Sequence, residues 1–222
     1  MNKSAVTLVG TLLVAGSAVL FAQDPVKVDP AHYKAILDNA AVRVLKVDYA
    51  PGAKSPMHAH PDAIVIALAA SKVQFTNADK TTRDSDMANE SGMYTPAGTH
   101  SSAAGATGVN ALVIELKGAG GKATLPTSRP GMTMKVLAEG PRGMAYQSTA
   151  DAKFAEPAGT KHDYDQVVIS LSATTGMSLS IDGKPAKTTW ARGDVQFTGR
   201  GTPHEAKNTS GKPVEFVIVA IK

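Results

Sequence analysis

Two histidine-bearing segments recur in the same order about 104 residues apart, and this repeat limits what the chain can fold into. His58 and His60 form a His-x-His pair just after the turn Pro51-Gly52, and His100 follows Pro96-Ala97-Gly98-Thr99. His162 and His204 then repeat the arrangement, after Glu156-Pro157-Ala158-Gly159. Five of the six histidines belong to these two copies; His32 stands outside and is expected at the surface. A period this long is a duplicated domain rather than a solenoid unit. Around the histidines lie short runs of branched residues, Val42–Tyr49, Ile64–Leu68 and Ala111–Leu116, echoed by Val167–Leu171 and Val214–Ile221. Turn residues separate them, and helical periodicity is nearly absent. The pattern predicts an all-β protein of two tandem barrels or sandwiches of the jelly-roll kind.

Local signals refine this expectation. Ala31–Asn39 reads as a short helix or an irregular segment. Lys72–Thr76 alternates and is expected to pair beside Ile64–Leu68. Asn77–Glu90 is polar and turn-rich, and Asp182-Gly183 is a hairpin turn signal between Met177–Ile181 and Thr188–Ala191. Gly118–Gly131, rich in Gly, Pro, Thr and Ser, reads as a linker.

The expected organisation is residues 1–22 as a signal peptide, 23–37 as a lead-in, 38–118 as a first domain, 119–132 as a linker and 133–222 as a second domain. Lys3 gives the leader a positive start, Ala5–Phe21 is apolar or small, and Ala22 precedes the expected cut. An uncleaved membrane anchor is the alternative, because the run approaches spanning length. Cleavage implies a periplasmic or secreted protein without stable membrane association.

With no cysteine, disulfides and thiolate ligands are excluded, so a metal site must use nitrogen and oxygen donors. The net charge of +4 is mild and its basic residues are scattered, which gives no nucleic-acid footprint. Along a strand, His58 and His60 point the same way, roughly 7 Å apart. With His100 from a neighbouring strand they can grip one divalent transition metal, with Fe, Mn, Ni, Cu and Zn all arguable. The alternative is a metal-free pocket in which the imidazoles bind a ligand or water. In the second copy, His162 and His204 have only neutral Gln166 or Tyr164 as companions, which makes a weaker site; Tyr164 and Gln166 could instead hydrogen-bond a small polar molecule. Asp62 is the nearest candidate base to the first site, provided its strand continues through Pro61. Met57, Met87 and Met93 are candidate pocket liners. Trp190 and Phe197 are expected in the core or at the rim, and Arg200 in a solvated loop.

These motifs resemble the cupin superfamily, specifically a bicupin. Gly52, His58 and His60 fit the first family motif, but Ile64 and Val65 stand where its glutamate belongs. Gly193, Gly201, His204 and Asn208 fit the second motif, with Gly199 in place of its proline; in the first copy Pro96 and Gly98 are kept, and His100 comes one residue early. The resemblance implies an inward-facing pocket in each barrel and an internal pseudo-dimer, present as a monomer or homodimer. It implies a small-molecule partner: either a metal-dependent dioxygenase-, isomerase- or lyase-like enzyme, or a non-catalytic binding or accessory protein.

Overall fold

The computed structural model describes residues 23–118, 120–126, 128–172 and 176–222. The expected signal peptide lies outside them. Among the described residues, apart from one helical turn at Pro25–Val28, every regular element is a strand. The first half contains β1 (Tyr33–Asp38), β2 (Val42–Tyr49), β3 (Lys54–His60), β4 (Ala63–Ala67), β5 (Ser71–Asn77), β6 (Thr82–Met87), β7 (Gly92–Thr95), β8 (Gly98–Ala104) and β9 (Val109–Leu116). The second contains β10 (Met132–Gly140), β11 (Gly143–Ala150), β12 (Asp165–Ser170), β13 (Met177–Ile181), β14 (Lys184–Lys187), β15 (Val195–Thr198), β16 (His204–Asn208) and β17 (Val214–Ile221).

The duplication is visible in the topology. One five-stranded sheet has the order β1-β2-β9-β4-β7 and the other β10-β11-β17-β12-β15, the same path through each half. The facing sheets differ. The first half has β3-β8-β5-β6, whereas the second has only β14-β13-β16. The counterpart of β3 is an irregular stretch tied to β16 by isolated bridges at Ala155–Lys207 and Thr160–His204.

Strand alternation divides the apolar residues into three clusters. Val42, Val44, Ile64, Ile66 and Ile114 pack with Val167, Ile169, Val217 and Val219 in one buried core shared by both halves. Tyr33, Leu45, Val47 and Tyr49 form the inner cluster of the first half, and Phe154, Tyr164, Phe216 and Ile218 that of the second. The outer face of each five-stranded sheet therefore joins the halves, and its inner face lines a cavity.

Several local expectations need correction. Ala31–Asn39 contains strand β1, an edge strand anchored on β2 through buried Tyr33 and bulged between Ala35 and Leu37. Its other side chains are mostly exposed, so no apolar period announced it. Strand β5 pairs with β6 and β8, not with β4. The polar stretch after it supplies β6, whose side chains are exposed except Met87 and half-buried Ser85. The Asp182-Gly183 turn forms, with φ of 51° and 71° at its two residues, the left-handed pair that a tight two-residue hairpin needs, but the strand it leads into is β14 and not Thr188–Ala191.

Candidate functional site

In the first half, pairing of β3 with β8 sets His58 opposite His100 and His60 opposite Gly98. The rings cluster, with His58–His100 and His60–His100 centroids each 4.9 Å apart. His58 is 2% exposed. Its Nδ1–H donates to the Pro56 carbonyl (2.9 Å), which leaves Nε2 as an acceptor, and the Tyr33 hydroxyl donates to it (3.2 Å). The lone pair that would bind a metal is thus already engaged. His60 donates from Nδ1 to the Pro61 carbonyl (2.7 Å). Burial lowers the pKa of His58, and burial with the neighbouring rings lowers that of His100 to about 3, so both rings are neutral at ordinary pH.

These rings border a cavity of about 90 Å3 whose apolar wall includes Val47, Val65, Phe75, Met87, Met93 and Val113. Met57, 37% exposed, stands on the other side of its strand. Asp62 is also differently employed. Strand β3 ends at His60 and β4 begins at Ala63, so the alternation that would have carried Asp62 toward the rings is broken. Its carboxylate accepts from the Ala97 amide (2.7 Å) and the Tyr94 hydroxyl (2.9 Å), with Arg142 at 3.8 Å, and these contacts lower its pKa. A carboxylate with that environment braces the turn and is a poor base.

The second half presents a tighter donor cluster. Glu156, His162 and His204 are the one group of three His, Asp or Glu residues, among the described residues, whose candidate ligand atoms all lie within 4.8 Å of one another. His204 is held by its strand, 3% exposed, and its Nδ1–H donates to the Thr202 carbonyl (3.1 Å). Its Nε2 therefore carries a lone pair, and this faces Glu156 Oε2 at 3.7 Å. His162 Nε2 faces Glu156 Oε1 at 3.9 Å. Both ring nitrogens are buried and have no hydrogen-bond partner among the described residues. Burial lowers the His162 pKa to about 4, with Arg129 and His204 acting in the same direction. A carboxylate faced by a bare imidazole nitrogen is acceptor against acceptor, which is unfavourable without a proton or cation between them.

One cation already adjoins the cluster. Arg129 donates to Glu156 Oε1 (3.2 Å), to the Tyr164 hydroxyl and to Gln166 Oε1 (3.5 Å). Tyr164 is buried and stacks on His162 with centroids 4.8 Å apart, so it serves as a wall of the cluster. Gln166, 3% exposed, lies in the adjoining cavity of about 40 Å3 with Arg129, Glu156 and Trp190. Its Oε1 is the atom that accepts from the Arg129 guanidinium.

Sequence reasoning missed Glu156 and Arg129. In the sequence Glu156 reads only as part of a turn, yet it opens the segment that replaces β3. Arg129 lies in the segment read as a linker, which packs on the second half through Ala123 and Leu125. His32 is not a bare surface residue: it stacks on Tyr49 at 4.4 Å and bonds Asp29. Trp190 is buried, as expected, and Arg200 is paired with Asp165.

No protein-family model and no curated protein matches the chain. Solved structures do match. A cupin 2 conserved barrel domain protein from Leptotrichia buccalis aligns with a TM-score of 0.55 at 10% identity, over 86% of this chain and 88% of that one. The oxalate decarboxylase formate complex of Lactobacillus farciminis aligns at 0.59 and 11%, over 82% and 77%. A mutant salicylate 1,2-dioxygenase from Pseudoaminobacter salicylatoxidans aligns at 0.58 and 9%, over 82% and 71%. Likeness at such low identity defines the fold, and the fold is the cupin barrel.

Proposed function

We propose that this is an exported, metal-dependent enzyme acting on a small oxygenated molecule, with the metal held by Glu156, His162 and His204. The observation that carries the reading is the convergence of two unpartnered imidazole nitrogens on one carboxylate, at 3.7 and 3.9 Å. Two nitrogens and a carboxylate oxygen suit a divalent transition metal and leave positions open for a substrate oxygen. A divalent ion there would supply Lewis acidity. The protein's own part is to keep His162 neutral by burial, to fix the His204 tautomer through Thr202, and to place the Arg129 guanidinium where it can meet an anionic group. The oxalate decarboxylase and salicylate dioxygenase of like fold are named for small carboxylates, which agrees with that charge.

A second reading places the metal on His58, His60 and His100. Three rings, each with its centroid 4.9 Å from a neighbour's, favour it, and release of Tyr33 from His58 is what it requires. A non-catalytic binding protein is the third.

Titration of chelator-stripped protein with zinc or nickel separates them. The first reading expects about one tight equivalent, lost in Glu156→Gln and kept in His58→Ala. Loss in His58→Ala with retention in Glu156→Gln would move the metal to the first half. Absence of binding in the parent protein would leave both sites as pocket lining.

A further inference from the structure

Glu115 is a carboxylate in an otherwise apolar strand, and the metal reading does not use it. It is 1% exposed. On β9 the alternation turns Leu112, Ile114 and Leu116 into the core shared by the halves. Ala111, Val113 and Glu115 face the cavity of the first half. Its register partner on β2 is Arg43, whose Nε donates to Glu115 Oε2 at 2.5 Å, and Arg43 Nη1 reaches Asp24 Oδ2 at 2.5 Å. One carboxylate oxygen is therefore fixed and charge-matched. The other, Oε1, is buried without a hydrogen-bond partner among the described residues.

We propose that the first cavity is a second, metal-independent binding site for a small, mainly apolar molecule bearing one hydroxyl, and that Glu115 selects that hydroxyl. A buried acceptor without a donor carries an uncompensated desolvation penalty, which a ligand O–H removes. The remaining wall is largely aliphatic and aromatic, so it rewards an apolar body. A cavity of about 90 Å3 is well short of the about 150 Å3 that accepts benzene, so it admits only a molecule of a few heavy atoms. Arg43 already answers the charge of Glu115, so an ammonium ligand would forfeit hydration for little gain. A carboxylate ligand would meet Oε1 acceptor to acceptor.

The repeat shows that the barrel does not need this acid. Ala63 lies opposite Glu115 across β4 and β9, and Gln166 lies opposite Ala220 across β12 and β17, the corresponding strands. The second half thus closes with alanine where the first carries Glu115. A buried charge that the scaffold can omit points to a ligand.

Chemical-shift titration of the chelator-treated protein with 2-propanol, dimethyl sulfide, acetate and isopropylammonium tests this. The expected result is binding of 2-propanol, with dimethyl sulfide at least about tenfold weaker, the worth of one hydrogen bond to a charged group, and acetate and isopropylammonium weaker still. Glu115→Gln should remove most of the 2-propanol advantage and leave dimethyl sulfide unchanged, with the fold checked by circular dichroism. Equal affinity for 2-propanol and dimethyl sulfide in the parent protein would overturn the proposal. So would tighter binding of isopropylammonium, an unchanged 2-propanol affinity in Glu115→Gln, or no binding of any probe.

Discussion

Acidification from pH 7 to pH 5 should destabilise the metal-free protein, and the buried histidines set the size of the loss. His100 is held down to about 3 and His162 to about 4, both mainly by burial. In the unfolded chain each returns to about 6.5. The folded state therefore refuses protons that the unfolded state accepts, and stability falls with pH below about 6.5. The loss for each ring ends only near its folded value, so the window runs from about 6.5 to about 4 for His162 and to about 3 for His100. At pH 5, about 1.5 units below the unfolded value, each ring contributes at most about 2 kcal/mol. His100 borders a cavity and the His162 side chain is 16% exposed, which reduces this to about 1 kcal/mol each and about 2 kcal/mol together, and His58, also lowered by burial, adds to the loss in the same direction. Asp62 and Asp194 have lowered pKa values and stay ionised throughout, so they add nothing in this interval. Urea unfolding at the two pH values measures the difference. The single tryptophan, Trp190, is buried and donates to the Met177 carbonyl (2.8 Å), so its fluorescence reports on the second half, and far-UV circular dichroism on the whole. The expected result is a lower midpoint at pH 5 with an unchanged slope. An equal or higher midpoint at pH 5 would refute the reasoning, as would an undiminished loss in the His100→Phe/His162→Phe double variant.

Gly140→Ala should weaken the contact between the halves, because a Cβ there would lie 2.2 Å from the Tyr94 ring, itself tethered to Asp62 through its hydroxyl. We expect a loss of about 1–3 kcal/mol, read as a lower thermal midpoint. Arg129→Met should tighten zinc binding about tenfold or more in the proposed Glu156 site, since it frees Oε1 and removes a neighbouring positive charge; weaker binding, measured by calorimetry, would show that the guanidinium supports the site.

The parts of the fold that were legible in the sequence are those where a short-range period met a buried face. Val42–Tyr49 and Val214–Ile221 declared themselves because their branched residues serve two cores at once, and Ile64–Leu68 because it serves the shared core on one face and the first cavity on the other. Edge elements did not. Only Tyr33 in β1 is buried, and β6 is exposed along most of its length, so neither carries an apolar period. The histidine clusters were legible because spacing along a strand fixes the face. Their chemistry was not, because it depends on groups far away in sequence. Tyr33 occupies His58 from 25 residues upstream. Arg129 reaches Glu156 across 27 residues, and Arg43 reaches Glu115 across 72. Glu115 still left a trace, a lone acid inside Ala111–Leu116, where a charge is costly without a partner.

The two halves diverge on one side of each sheet and not on the other, and the packing explains why. The outer faces of the five-stranded sheets meet in a core where Val42, Val44, Ile64, Ile66, Ile114, Val167, Ile169, Val217 and Val219 are fully buried, so volume changes there disturb both halves. The inner faces border cavities and have room to change. That is where Ala63 and Glu115 stand against Gln166 and Ala220, and where a regular strand carrying His58 and His60 stands against an irregular segment carrying Glu156 and His162. The shared core thus holds one framework for two cavities whose polar groups have separated into an acceptor cluster suited to a cation and a lone acceptor suited to a hydroxyl.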